Sequence, residues 1–253
     1  MSRQPTSAEP RRGSRRQPKA SRNAILEAAL AEFAQEGLAG ARVDSIAEAA
    51  GVNKALLYYY FHDKETLYGA TLENFFAPLH QRIMEVCDRP GSAGTRFLNY
   101  AREHFDAIAA SPFHARIFMS ELMSASRGGK THLDRILTKY MLPIGLRVLA
   151  LLQEGVASGE FRPVDPAQFV PTAIGSIVHY FLTAPLRQRF IKLMPMTEPS
   201  PEDRRAAVLD FLAAALFADR VAGIKLAARI AGANPSPQQD AKAALSRKKG
   251  KRK

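Results

Sequence analysis

Apolar residues recur along most of the chain with the spacing of one face of a helix. Ile25, Leu26, Ala29, Leu30 and Phe33 fall at i, i+1, i+4, i+5 and i+8, and Gly37 follows as a stop. A second, short helix is expected over about 43–50, with Ile46, Ala47 and Ala50 inward, before a turn at Gly51 that a Cβ would resist. Asn53 is placed to cap a third helix over about 54–60, and Asp63 to cap a long fourth. Further on, Ser111-Pro112, Asp165-Pro166 and Ser200-Pro201 each set a capping residue before a proline at the first helical position. Thr131-x-x-Asp134 and Ser200-x-x-Asp203 have the spacing of a capping box. No β-branched run alternates with period 2, so the pattern predicts an all-α fold.

Within that pattern, "LLYYYF" at 56–61 is the exception, because a helix cannot bury four consecutive aromatic rings on one face. Leu57 and Phe61 lie four residues apart and share the inward face, which fans Tyr58, Tyr59 and Tyr60 across the outward side. Two short helices joined by "AAGVN" read as a helix-turn-helix, with Val52 and Leu57 packed behind the second helix. That helix is short enough to enter a major groove by its N-terminal end. Tyrosine hydroxyls can then donate to phosphate oxygens, and Lys64 adds a charge beside the next helix N-terminus.

Charge placement changes the picture. The net charge is +12, but residues 1–22 carry +6, residues 225–253 carry +8 and the stretch between carries −2. The two ends are poor in aromatics and rich in Gly, Pro, Ser or Lys, and are expected to be disordered basic tails suited to a polyanion. Residues 22–68 themselves sum to −3, so attraction to DNA must come from elsewhere, the arm "RRGSRRQPKASR" above all. No apolar run reaches ~18 residues, which predicts no membrane span. No secretory or twin-arginine signal is present, and one cysteine, Cys87, allows no internal disulfide; both fit a cytoplasmic, nucleoid-associated protein. No Gly-rich phosphate loop, metal-spaced His/Cys cluster or nucleophile motif occurs, so neither enzyme activity nor a cofactor or metal is expected.

Arg22-x-x-Ile25-Leu26, Ala29, Phe33, Gly37, Ile46-Ala47-x-x-Ala50-Gly51-Val52, "LYYYF" and Lys64-Glu65-x-Leu67 together resemble the tetracycline-repressor (TetR) family of bacterial regulators. The resemblance implies an N-terminal three-helix DNA-binding domain over 21–68 and a helical ligand-sensing and dimerisation domain over 69–222. A basic arm over 1–20 and a basic tail over 223–253 flank them. It places Lys54, Ala55 and Leu56 at base-reading positions and Tyr58, Tyr59, Tyr60 and Lys64 at backbone-contacting ones. Arg42 stands where a capping threonine is common, losing that cap or gaining a phosphate contact. Asp44 stands where the founding member has a base-reading arginine. The implied function is a repressor that binds an inverted-repeat operator as a homodimer and is released by a largely apolar small molecule. A ligand-independent architectural DNA-binding protein and a helical enzyme are the alternatives.

For the second domain, Phe105, Phe113, Phe118, Met119, Met123, Met141, Tyr180 and Phe181 supply adaptable apolar side chains that could line a cavity. His104, His114, Glu121 and His179 are the polar residues beside them, and the expected ligand set is His104, Phe118, Glu121, Met123 and His179. Helices over about 166–189 and 201–220 are the expected dimerisation pair, "VLDFLAAALF" giving a small apolar face. Pro78 is expected to kink the long fourth helix, where ligand binding would act on the recognition helices.

Overall fold

A computed structural model describes residues 18–232, apart from 112, 127, 129–131, 195 and 196. Residues 1–17 of the arm expected over 1–20, and the tail beyond 232, therefore lie outside the described residues, while residues 18–20 begin the first helix instead. The chain divides into two compact units, Met1–Asn74 and Phe75–Lys253.

The first unit holds α1 (Pro18–Gly40), α2 (Val43–Ala50), α3 (Lys54–Phe61) and the start of α4 (Lys64–Asp88). Gly37, at φ 67°, breaks α1 where a stop was expected, and the chain runs on for three residues in helical form. The predicted stripe is the core: Ile25, Leu26, Ala29 and Phe33 are buried with Ile46, Ala47, Ala50, Leu57, Phe61, Leu67 and Tyr68. The Phe33 and Tyr68 rings meet edge to face at 4.8 Å, a geometry that adds to their area burial. Gly51 turns the chain at φ 64°, ψ 38°, a left-handed conformation that glycine reaches without Cβ strain. Asn53 caps α3 by accepting from the Leu56 N–H at 2.7 Å, and Asp63 caps α4 by accepting from Thr66 N–H at 2.6 Å. The Thr66 bond holds the Asp63 carboxyl below the usual carboxylate range.

The second unit continues α4 and adds α5 (Ala93–Ala110), α6 (Phe113–Ser126), α7 (Leu133–Ile136), a π-helical turn (Leu137–Met141) and α8 (Leu142–Ala157). It is completed by α9 (Pro166–Leu182), α10 (Ala184–Leu193), α11 (Pro201–Leu216) and α12 (Arg220–Gly232). Asp165 and Ser200 cap α9 and α11 as the sequence predicts, and Ser200 with Asp203 forms a complete capping box. Thr131 lies outside the described residues, and His132 takes the cap position of α7, where its side chain makes no cap bond. The helix expected over 166–189 is instead two, α9 and α10, bent by 66° at Thr183. The break has a local cause: Pro185 follows Thr183 and cannot donate to the carbonyl four residues back.

Phe97, Phe105, Leu151, Leu209, Leu212 and Leu216 are central in this core. Gly155 lets α8 approach Phe161 so closely that a Cβ would stand 2.0 Å from that ring. Residues 223–232, expected as the start of a tail, form most of α12 and belong to the core through Ala227 and Ile230. The last carbonyls of α12 are met by arginines: Arg102 donates to Ile230 O at 3.3 Å and Arg205 to Ala231 O at 3.2 Å. Arg205 also pairs with Asp106 at 2.9 Å. Among the described residues the only β pairing is an isolated bridge between Phe161 and Phe217. The stretch Leu133–Ala157 is long and apolar enough by length and composition to cross a membrane, although Asp134, Arg135, Lys139 and Arg147 interrupt it. Val148, Leu151 and Leu152 of that stretch are buried in the core.

Candidate nucleic-acid interface and internal cavity

The helix α3 anchors itself through two side chains and offers the rest. Leu57 and Phe61 are fully buried, whereas Tyr59 is 75% exposed and Tyr58 39% exposed. Tyr60 is half-buried, and its ring meets Tyr59 edge to face at 5.4 Å. Lys54 and Ala55 are exposed at the N-terminal end, and Leu56 is half-buried. Arg22 places its guanidinium over the Phe61 ring at 5.3 Å, adding a cation–π contact on the inward side of α3.

Three polar arrangements here were not legible in the sequence. Lys54 Nζ pairs with the Asp44 carboxylate at 2.9 Å, joining the N-terminal ends of α2 and α3 and holding the ammonium pKa above its ordinary value. Asp44 thus answers a lysine of its own chain. Lys64 Nζ donates to the carbonyls of Ala39 and Ala41, at 3.1 and 3.2 Å, closing the end of α1; among the described residues its third ammonium donor has no partner. Arg42 occupies the cap position of α2 without a side-chain cap bond, so the cap is lost; its backbone N–H donates to Glu32 Oε1 at 2.9 Å instead.

The second unit holds a partly open cavity of about 150 Å³. Phe75, Phe76, His80 and Ile83 of α4 line it with Tyr100 and His104 of α5, and with His114 and Phe118 of α6. Tyr140 and Met141 of the π turn, Ile144 and Val148 of α8, and Val170, Ile174 and Val178 of α9 complete the wall. Of the expected ligand residues, His104 and Phe118 line the cavity. Three do not. Glu121 is buried but accepts from the His132 backbone N–H at 2.6 Å, a bond that fixes the chain after α6. Met123 is 50% exposed, and His179 is exposed on α9. Phe105 and Phe181 pack on each other in the core, and Tyr180 lies under the Arg187 guanidinium at 3.7 Å.

The residues missed are those of α4. Phe75, Phe76, Leu79, His80 and Ile83 have the spacing of one helical face, a pattern that any core-packed helix shares. The π turn has a physical cause in Pro143, whose ring clashes with a carbonyl four residues earlier. The turn widens, and the Leu142 N–H reaches back five residues to Leu137 O. His80 Nδ1 lies 3.1 Å from the carbonyl oxygen of Tyr140 in this turn. His104 has a buried Nδ1 with no partner among the described residues, and desolvation depresses its pKa to about 4, so its ring is neutral at pH 7. Burial likewise pushes the Cys87 thiol up to about 11, which keeps it protonated and makes it a packing residue.

Comparison with known proteins agrees with both units. Residues 25–71 match the family described as "Bacterial regulatory proteins, tetR family", and residues 98–221 match "Tetracyclin repressor-like, C-terminal domain". The HTH-type transcriptional regulator RutR of Escherichia coli (strain K12) is 34% identical over 170 residues, covering 66% of this chain and 76% of its own. The HTH-type transcriptional repressor SCO4008 of Streptomyces coelicolor is 50% identical over 176 residues, covering 70% of this chain and 85% of its own. In fold, the crystal structure of a gamma-butyrolactone receptor (ArpA-like protein) superposes with a TM-score of 0.63 at 19% identity, over 85% of this chain and 98% of that one. These relatives are transcriptional regulators rather than enzymes, and the chain belongs to the TetR family of bacterial DNA-binding transcriptional regulators.

Proposed function

We propose that the protein is a repressor that binds an inverted-repeat operator as a homodimer and leaves it when a largely apolar small molecule fills the cavity of the second unit. The observation that carries this reading is the pair of faces on α3: Leu57 and Phe61 buried, Tyr58 and Tyr59 in water. Lys54, Ala55 and Leu56 would read bases, Tyr58, Tyr59 and Tyr60 would hold phosphates, and Arg42 and the remaining donor of Lys64 would add backbone contacts. Dimerisation would use α9 and α11, where Phe211 is 52% exposed beside the small residues Ala207 and Ala214. Such a protein works in the cytoplasm, on chromosomal DNA.

The helix α4 supports the proposed release. It contributes Leu67 and Leu72 to the first unit's buried residues and Phe75, Phe76 and His80 to the cavity wall. Pro78 denies the Asn74 carbonyl its helical donor, and the boundary between the units falls at that residue. A ligand that displaces the cavity segment of α4 would change the separation of the two recognition helices. Selection of bound sequences from random DNA, followed by footprinting, tests the reading. A palindromic site with half-site centres about one helical turn, ~34 Å, apart or somewhat more is expected. Equal affinity for all sequences, or a monomer by light scattering at micromolar concentration, would overturn it.

A further inference from the structure

We propose that the cavity of the second unit receives a small, uncharged, single-ring molecule bearing one hydrogen-bond donor, a phenol in the simplest case, with His80 as the acceptor. This rests on the reading of the cavity as a ligand site and names the chemistry it selects.

Size comes first. A cavity of about 150 Å³ is the size that holds one benzene ring. Phe75, Phe76, Phe118 and Tyr140 are among its lining residues, an aromatic wall against which a flat ring ligand packs well. Charge is decided next. No Lys, Arg, Asp or Glu is among the lining residues, so a carboxylate or ammonium ligand would be stripped of water without a counter-ion. The buried imidazole of His104 does not serve as one, because desolvation holds it neutral.

The polar selection follows from the π turn. The Tyr140 carbonyl is 3.1 Å from His80 Nδ1, and since a carbonyl only accepts, Nδ1 carries the proton of that bond. In the neutral ring Nε2 then holds a lone pair and accepts. A backbone irregularity thereby fixes the tautomer of a residue in the cavity wall, and π turns of this kind recur at functional sites. A ligand hydroxyl or ring N–H satisfies that acceptor, whereas a ligand carbonyl does not.

Calorimetric titration of the full chain, without DNA, with phenol, toluene, benzoate and benzylamine separates these requirements. Phenol should bind about three- to ten-fold more tightly than toluene, the range one net hydrogen bond supplies. Benzoate and benzylamine, charged at pH 7, should give no heat of binding under the same conditions. His80→Leu should erase the phenol preference while toluene still binds, and Phe118→Trp should abolish both by filling the space. Phenol no tighter than toluene, benzoate bound as well as phenol, or no binding by any probe would overturn the proposal. His80→Leu retaining the preference would do the same. Phenol that binds yet leaves operator DNA bound would support the chemistry stated here and instead overturn the proposed release mechanism.

Discussion

In the first unit a short helix sets Tyr59 at 75% and Tyr58 at 39% exposure, while in the second Phe75, Phe76, Phe118 and Tyr140 close around a space of about 150 Å³. The same residue class is turned outward in one place and inward in the other. On α3 two anchors, Leu57 and Phe61, leave Tyr58 and Tyr59 exposed to solvent, where their rings can meet a partner. In the second unit rings from α4, α6 and the π turn face one another, and the space they leave is apolar with three imidazoles in its wall. Rings on the outside favour a polar, extended partner; rings around a void favour a compact, apolar one.

The comparison can be broken most severely at the anchors. Phe61→Ala should cost about 3–5 kcal/mol of stability, the usual loss for a buried phenylalanine, and should abolish DNA binding with it. Urea denaturation and DNA titration on the same sample measure both. The imidazole of the inner site gives the next largest effect. His104 titrates near 6.5 when unfolded and at about 4 when folded. Its depressed value means that the unfolded chain binds the proton first. Stability is therefore full above pH 6.5 and falls as the pH drops towards 4, by about 3 kcal/mol for this group. His104→Leu should flatten that part of the stability–pH curve; an unchanged curve would remove the buried neutral imidazole from the account.

A smaller effect is expected outside the described residues. Deleting residues 1–17 removes five arginines and one glutamate. Since residues 22–68 sum to −3, the slope of log affinity against log salt should fall by about two to four contacts per protomer, at roughly 0.9 per phosphate. An unchanged slope would leave the arm a bystander. Smallest is the outward face itself. Tyr59→Phe should weaken operator and random DNA alike by about three- to ten-fold, one hydrogen bond's worth, with no change in melting temperature. Lys54→Ala should hurt operator binding more than random binding, and titrations with the opposite ranking would reverse the assignment of base-reading and phosphate-holding positions.

What was legible in the sequence was local. The short helices, the turn at Gly51 and the caps at Asn53, Asp63, Asp165 and Ser200 depend on residues within a few positions of one another, and all formed. The burial of Leu57 and Phe61 follows from their four-residue spacing. The cavity joins α4 to α9 across about a hundred residues, and no local pattern distinguishes its wall from ordinary core. Glu121 looked like a polar ligand contact because its partner, the His132 N–H, lies beyond the turn after α6. The reach of the fold to Gly232 was hidden by composition: Lys225 and Arg229 read as the start of a basic tail, whereas Gly223, Ala227 and Ile230 give α12 a buried side.

The bridge between Asp44 and Lys54, 2.9 Å long, constrains how such a regulator can change its targets over evolutionary time. On the proposed reading Lys54 reads bases while Asp44 stands nearby on α2. Replacing Lys54 alone would strip the carboxylate of its counter-charge and leave it repelling the nearest phosphate. Replacing Asp44 alone would free an ammonium that binds any sequence more strongly. Either single step degrades discrimination before a new preference can form. Divergence to a new operator should therefore proceed by paired substitution at 44 and 54, and these two positions should vary together among descendants of this chain.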